Sequence, residues 1–200
     1  MTTDAPGAAD TVEIIALSGV AVLVRTAHSD DLAAVNDLHG RCSPQSRRAR
    51  YHGPRDALRT TEWRRLVDPA RAWSVLLAAA DEPDRAIGFA SLIRLPDPDS
   101  TEASLLIEDR WQGFGIGTAV AGHLTTVAKR SGAPALTSWI GPANVRALRI
   151  AHRLGADVRV ADGVAEARLV LQPRVIAVPP YEPTAVSYLP ACRGTTRSSW

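Results

Sequence analysis

Gly113, Gly115 and Gly117 alternate with larger residues in ASLLIEDRWQGFGIGTAVAGHL, Ala103 to Leu124, between an apolar strand-like run and a helical pattern. A glycine-rich turn lets the backbone approach a ligand closely. The helix behind it aims unsatisfied N–H groups and a partial positive charge back at the turn. That is a site for an anion, phosphate above all. Two nucleotide loops of this kind are set aside. A dinucleotide fingerprint framed on Gly115 and Gly117 needs a glycine where Val120 stands, and no acidic residue follows at the distance a ribose ligand requires. A phosphate loop ending in Gly-Lys-Ser/Thr fails because the chain's only lysine is Lys129.

Other residues could also carry chemistry. Glu102 opens the strand before the loop, where partial burial would raise its pKa toward that of a useful base; the bland reading is an exposed carboxylate at a strand start. Glu108 and Asp109 read as a solvated corner, and Asn144 as the cap of a later helix. His28, His39, His52, His123 and His152 show no metal-ligand spacing, Cys42 and Cys192 form no pair, and no metal is expected. Cys42, just before the Ser43-Pro44 cap, reads as a buried small hydrophobe or a reactive thiol near a helix start.

The elements that must position these residues follow from pattern. Val20–Thr26 reads as a strand, then Ser29 with Asp30 and Asp31 starts a helix that Gly40 stops. Ser43-Pro44 starts a second helix toward Tyr51, and Pro54–Val67 reads as a third. Trp73–Ala79 and Ile87–Ile93 form a hairpin about the acidic turn Asp81–Asp84. Ala103–Ile107 is the strand before the glycine loop, and a helix runs from Thr118 to Arg130. Ala135–Ile140 is a strand, Asn144–Leu154 a helix closed by Gly155, and a hairpin turns at Asp162-Gly163. The expectation is one α/β (α+β) domain over 12–172, between a flexible N-terminus at 1–11 and an irregular proline-rich tail at 173–200.

The frame Gln112-x-x-Gly115-x-Gly117 resembles the pyrophosphate loop of the GNAT acetyltransferases. NVRALRIAHRLGA, Asn144 to Ala156, is similar to that family's second conserved segment. Within the family, SPQSRRARY at Ser43–Tyr51 and the Glu102-Ala103 strand start resemble the catalytic domains of bacterial protein lysine acetyltransferases. The resemblance implies a mixed central sheet of about six to seven strands flanked by about four helices, with acetyl-CoA as acyl donor. It implies that Gln112, Gly113, Phe114, Gly115, Ile116, Gly117 and Thr118 grip the cofactor. Leu106 and Ile107 would border the gap that takes the pantetheine arm, and Asn144 would contact that arm or a water. Glu102 becomes the general base for a primary amine that attacks the thioester directly, the amine belonging to a protein lysine or a small molecule. Two departures stand out: Phe114 replaces a common Arg or Lys, and Ala151 replaces a common tyrosine acid, with His152 beside it as a poor substitute. The alternative is a non-catalytic acyl-CoA-binding sensor or interaction module.

Composition bounds the rest. The 200 residues carry 23 basic and 21 acidic side chains, a net charge of +2, and are 46% hydrophobic. This is a globular chain with no cationic excess to coat nucleic acid. The run Ile14–Val24 is too short for a bilayer span, and no leader pattern precedes it, so the expected site is cytoplasmic, with dimerisation through edge strands as one route to regulation. The charge is segregated: nine arginines face three acidic residues between Arg41 and Arg71, while 81–110 is acidic. The plain reading of the basic stretch is a solvated helix face with some ion pairing; facing the acceptor channel, it would repel a free polyamine. We expect the polyanionic cofactor and a cationic acceptor on opposite sides of one site, with Glu102 facing the Gly113–Gly117 loop.

Overall fold

A computed structural model describes residues 11–15, 18–97 and 99–171, with side chains from Ser18 onward. The proline-rich tail, Cys192, Trp200 and the first ten residues lie outside it. Among the described residues there are eight strands and five α-helices. They run β1 (Thr11–Ile15), β2 (Ala21–Thr26), α1 (Leu32–Arg41), α2 (Pro44–Tyr51), α3 (Thr60–Leu66), β3 (Ala72–Ala79), β4 (Glu82–Arg94), β5 (Thr101–Ile107), α4 (Ile116–Arg130), β6 (Ala135–Ile140), α5 (Val145–Arg153), β7 (Asp157–Ala161) and β8 (Val164–Val170). One mixed sheet has the order β1-β2-β3-β4-β5-β6-β8-β7, the mixed central sheet expected, with β1 as an additional edge strand.

Local chemistry explains most boundaries. Ser43 caps α2 by accepting from the Ser46 amide, with Pro44 in the first turn where its missing N–H costs nothing. Asp162 and Gly163 both take positive φ, as a tight hairpin turn demands. Three expectations are corrected. Gly40 does not stop α1, which runs on through Arg41. Residues 54–59 are not helical, because the Asn36 side chain pairs with both the N–H and the C=O of Leu58. Glu82–Asp84 belong to β4, and a register shift near Ala78 absorbs them.

Two large clusters cover the two faces of the sheet, and a smaller one of Ile140, Ala151, Ala165 and Ala167 lies under α5. On one face Val35, Leu38, Cys42, Leu58, Trp63, Phe89 and Leu106 pack under α1–α3; on the other Ile107, Ile116, Val120, Leu124 and Ala128 pack under α4. Side chains alternate along a strand, so Glu102, Ser104 and Leu106 of β5 share the α2 face and Ala103, Leu105 and Ile107 the α4 face.

Candidate active site

The centre of the sheet is open. β5 and β6 run parallel but pair only at Thr101–Leu136 and Glu102–Thr137, then diverge. The Ser138 hydroxyl donates to the Ala103 carbonyl at 2.7 Å where the gap begins. On its other edge β5 stays paired with β4 through Gly88–Ile107, and the Glu108 N–H donates to the Ile87 carbonyl. In-register alternation therefore turns the backbone groups of residues 103, 105 and 107 toward the gap. This refines one expectation: the N–H groups of Leu105 and Ile107 face the gap, whereas Leu106 points its own toward β4. The Leu106 and Ile107 side chains are buried in the two cores and border no open space.

A cavity of about 150 Å³ fills the gap. Leu105, Ala121, Leu124 and Ile150 line its α4 side; Arg50, His52, Glu102 and Ser104 line its α2 side. Apart from Thr125 the α4 side is apolar, while Arg50 and Glu102, the charged side chains of the lining, lie on the α2 side. Asn144 and Ala151 also line it. Asn144 accepts from the Ala147 amide at 3.1 Å, so it caps α5 as expected. Ala151 offers no proton, and His152 is exposed outside the cavity.

At the C-terminal end of β5 the glycine loop takes the shape its residues permit. Gly113 and Gly115 have φ of 90° and 82°, which a side chain would strain. Gly117 packs so closely that a Cβ there would lie 3.0 Å from Ile150 Cδ1, against Leu105, and both neighbours line the cavity. Thr118 and Ala119 turn their amides back on the Gly115 carbonyl. Among the described residues, the N–H groups of residues 113–117 find no acceptor in the protein, while the Ile116 side chain is buried in the core. Phe114 is 45% exposed, and its carbonyl accepts from the Ser18 hydroxyl.

The loop is held by contacts that spacing did not reveal. The Gln112 amide donates to the Ile107 carbonyl at 2.8 Å and to the Ser46 hydroxyl at 3.1 Å, and its oxygen accepts from Arg146 of α5. Gln112 is therefore a strut between strand, loop and helices. Arg146 sets a cation beside the loop. Asp109 accepts from the Ser43 amide at 2.7 Å and from the Ser43 and Ser46 hydroxyls. Burial works to raise its pKa, but those donors hold it below the usual carboxylate range. The serines of the SPQS motif thus dock α2 onto the loop.

Glu108 corrects the expectation of a solvated corner. Only 4% exposed, it accepts from Arg41 at 3.1 Å, Arg85 at 3.0 Å and Arg110 at 2.9 Å. Sequence carried no signal for this cage, whose arginines come from α1, β4 and the turn after β5. Cys42 is buried and its pKa is pushed up to about 11, chiefly by desolvation, so it is a core residue. His39 is buried with Nδ1 against the Val35 carbonyl and Nε2 against the Tyr51 hydroxyl. Because the carbonyl only accepts, Nδ1 carries the proton and Tyr51 donates to Nε2.

Glu102 does not face the glycine loop. It stands about 17 Å back along β5 from Ile107 and on the opposite face of the sheet from α4. What it shares with Asn144 is the lining of the cavity. Among the described residues no cluster could hold a metal ion, and no helix is long and apolar enough to cross a membrane.

Residues 32–156 match the model of the acetyltransferase (GNAT) family, and the chain belongs to that family of acyltransferases. No curated protein matches the sequence. Among solved structures, the GNAT domain of the Streptomyces lividans protein PAT is 19% identical, with a TM-score of 0.73, over 84% of this chain and 100% of that one. RimL, a ribosomal L7/L12 alpha-N-protein acetyltransferase solved with coenzyme A, is 17% identical with a TM-score of 0.61, over 80% and 98% of the two chains. The Salmonella typhimurium protein yncA, solved with acetyl-CoA, is 22% identical with a TM-score of 0.58, over 77% and 96%. At these identities the likeness is one of fold.

Proposed function

We propose that the chain transfers an acetyl group from acetyl-CoA to a primary amine, of a protein lysine or a small molecule. The observation that carries this reading is the cavity through the β5–β6 gap, largely apolar on the α4 side and with Arg50 and Glu102 on the α2 side. Acetyl-CoA supplies an activated acyl group with a thiolate leaving group. The residues fit such a donor. The free N–H groups of residues 113–117 at the start of α4 suit a pyrophosphate, with Arg146 adding charge. The apolar wall of Leu105, Leu124 and Ile150 suits a pantetheine arm. The N–H of Leu105 or Ile107 would polarise a carbonyl in the gap.

Glu102 is the proposed base. It takes a proton from the bound ammonium, directly or through a water, and the lone pair so freed forms the new C–N bond as the C–S bond breaks and its electrons leave on the thiolate. The cavity offers no hydroxyl acid near Ala151, so the thiolate takes its proton from water. The absence of an acid there, with Phe114 in the loop where the family often carries a cation, favours a non-catalytic acyl-CoA-binding module. The two readings separate experimentally. Acetyl-CoA should raise the melting temperature, since a ligand that binds only the native state stabilises it. Glu102→Gln should then keep that shift and lower kcat for amine acetylation by about 10²-fold or more. A shift with no turnover on any amine would establish the binding module, and no shift would exclude both readings.

A further inference from the structure

The polar side of the cavity holds two opposite charges that do not bond to each other. Among the described residues, neither the Glu102 carboxylate nor the Arg50 guanidinium makes a hydrogen bond or an ion pair, although both line the cavity. Arg50 Nε and Ser104 Oγ are buried without hydrogen-bond partners. Leaving such groups unsatisfied is costly, so two of them in one cavity, beside the unpaired Glu102 carboxylate, mark a place built for a polar ligand. Most nearby arginines are already engaged: Arg47 with Asp56, Arg55 with Glu62, Arg41 with Glu108. Arg50 alone of these is free. It lies over the Tyr51 ring at 4.8 Å and 6.0 Å from the Phe89 ring. Tyr51 is itself fixed on His39. A guanidinium held by its face keeps its N–H edges for a planar anion. Burial also lowers the Arg50 pKa, opposed by Tyr51 and Glu102, as expected of a cation short of counter-charge.

We propose that the acceptor carries a carboxylate close to its reacting amine, with the ammonium taken by Glu102 and the carboxylate by Arg50. This rests on the acetyltransferase reading above. The ligand chemistry is that of a free amino acid or of a peptide lysine beside an acidic residue. Polyamines, which bring only positive charge to Arg50 and its arginine neighbours, are disfavoured.

The test uses the full chain with acetyl-CoA and acceptors paired by charge. One arm compares the common amino acids with their amides, and the other compares acetyl-Asp-Lys-Asp-amide with acetyl-Asn-Lys-Asn-amide; spermidine is included. The acid member of one arm should exceed its neutral partner about tenfold in kcat/KM, mainly through KM, and that arm identifies the source. Arg50→Gln should bring the ratio to within about twofold and Arg50→Lys should restore part of it, with the acetyl-CoA thermal shift kept in both variants. Acids and amides acetylated equally, a preference that survives Arg50→Gln, or spermidine as the best acceptor would overturn the inference while leaving acetyl transfer intact. An acetyl-CoA shift with no acetylation of any acceptor would overturn both.

Discussion

Glu108→Gln isolates the arginine cage at the end of β5. Glutamine keeps the size of the side chain but takes away the charge that Arg41, Arg85 and Arg110 share. Removing one partner of a fully buried ion pair costs roughly 3–5 kcal/mol. Here the arginine side chains are 29–52% exposed, so water recovers part of their solvation. Glu82, at 3.5 Å from Arg110 and 3.7 Å from Arg85, supplies some compensation. We therefore expect a loss of about 2–4 kcal/mol. For a chain of this size each kcal/mol lowers Tm by about 2–4 °C, so the expected drop is on the order of 5–15 °C. The assay is thermal unfolding by circular dichroism at pH 7, repeated at high salt, where a buried pair is screened far less than an exposed one. Glu82→Gln, at an exposed carboxylate, should cost under about 1 kcal/mol. If Glu108→Gln melts within about 2 °C of the parent, or if salt removes the difference, the cage does not hold this corner and the reasoning is wrong.

Three further outcomes follow from named contacts. Asn144→Ala should cost about 1 kcal/mol of stability by uncapping α5, and Asn144→Asp, which keeps the accepting oxygen, should recover most of it in urea denaturation. His39 has a folded-state pKa lowered chiefly by burial, with Arg50, Arg47 and Arg55 adding to the effect. Its contribution is fully present above an unfolded pKa of about 6.5 and is lost as pH falls below that value, at up to about 1.4 kcal/mol per pH unit. The stability difference between the parent and His39→Gln should therefore shrink between pH 7.5 and 5.5, and a constant difference would show that His39 does not titrate this way. Cys42 should resist thiol reagents at pH 8 in the native protein and react fully once denatured, as burial and a pKa of about 11 require. Rapid native labelling would contradict its place in the core.

The parts of the fold legible in the sequence were those that a few adjacent residues decide. Ser43-Pro44 starts α2, Asp162-Gly163 turns the last hairpin, Asn144 caps α5, and Gly113 and Gly115 accept backbone angles that other residues resist. These are short-range effects of φ, capping oxygens and missing side chains, and they stay with the segment wherever it is placed. Elements fixed by distant partners were misread. The stretch 54–59 looked helical until Asn36 claimed Leu58, and Gly40 looked like a stop although α1 continues one residue past it.

The candidate site divides the same way. The glycine loop and Glu102 could be singled out from residue type and order. Glu102 being on the α2 face, remote from that loop, depends on the pleat of β5 and on how early β6 turns away. Arg146 beside Gln112 joins residues 34 positions apart, Arg85 and Arg41 reach Glu108 from 23 and 67 positions away, and Arg50 shares a cavity with Glu102 and Ser104. The sequence by itself determined the secondary structure near its caps and turns, the family, and the glycine-rich turn before α4. Only the tertiary structure decided which charges are paired, which are buried, and which remain free for a ligand. Those depend on Coulomb energies and desolvation, which act through space between groups that chain closure brings together.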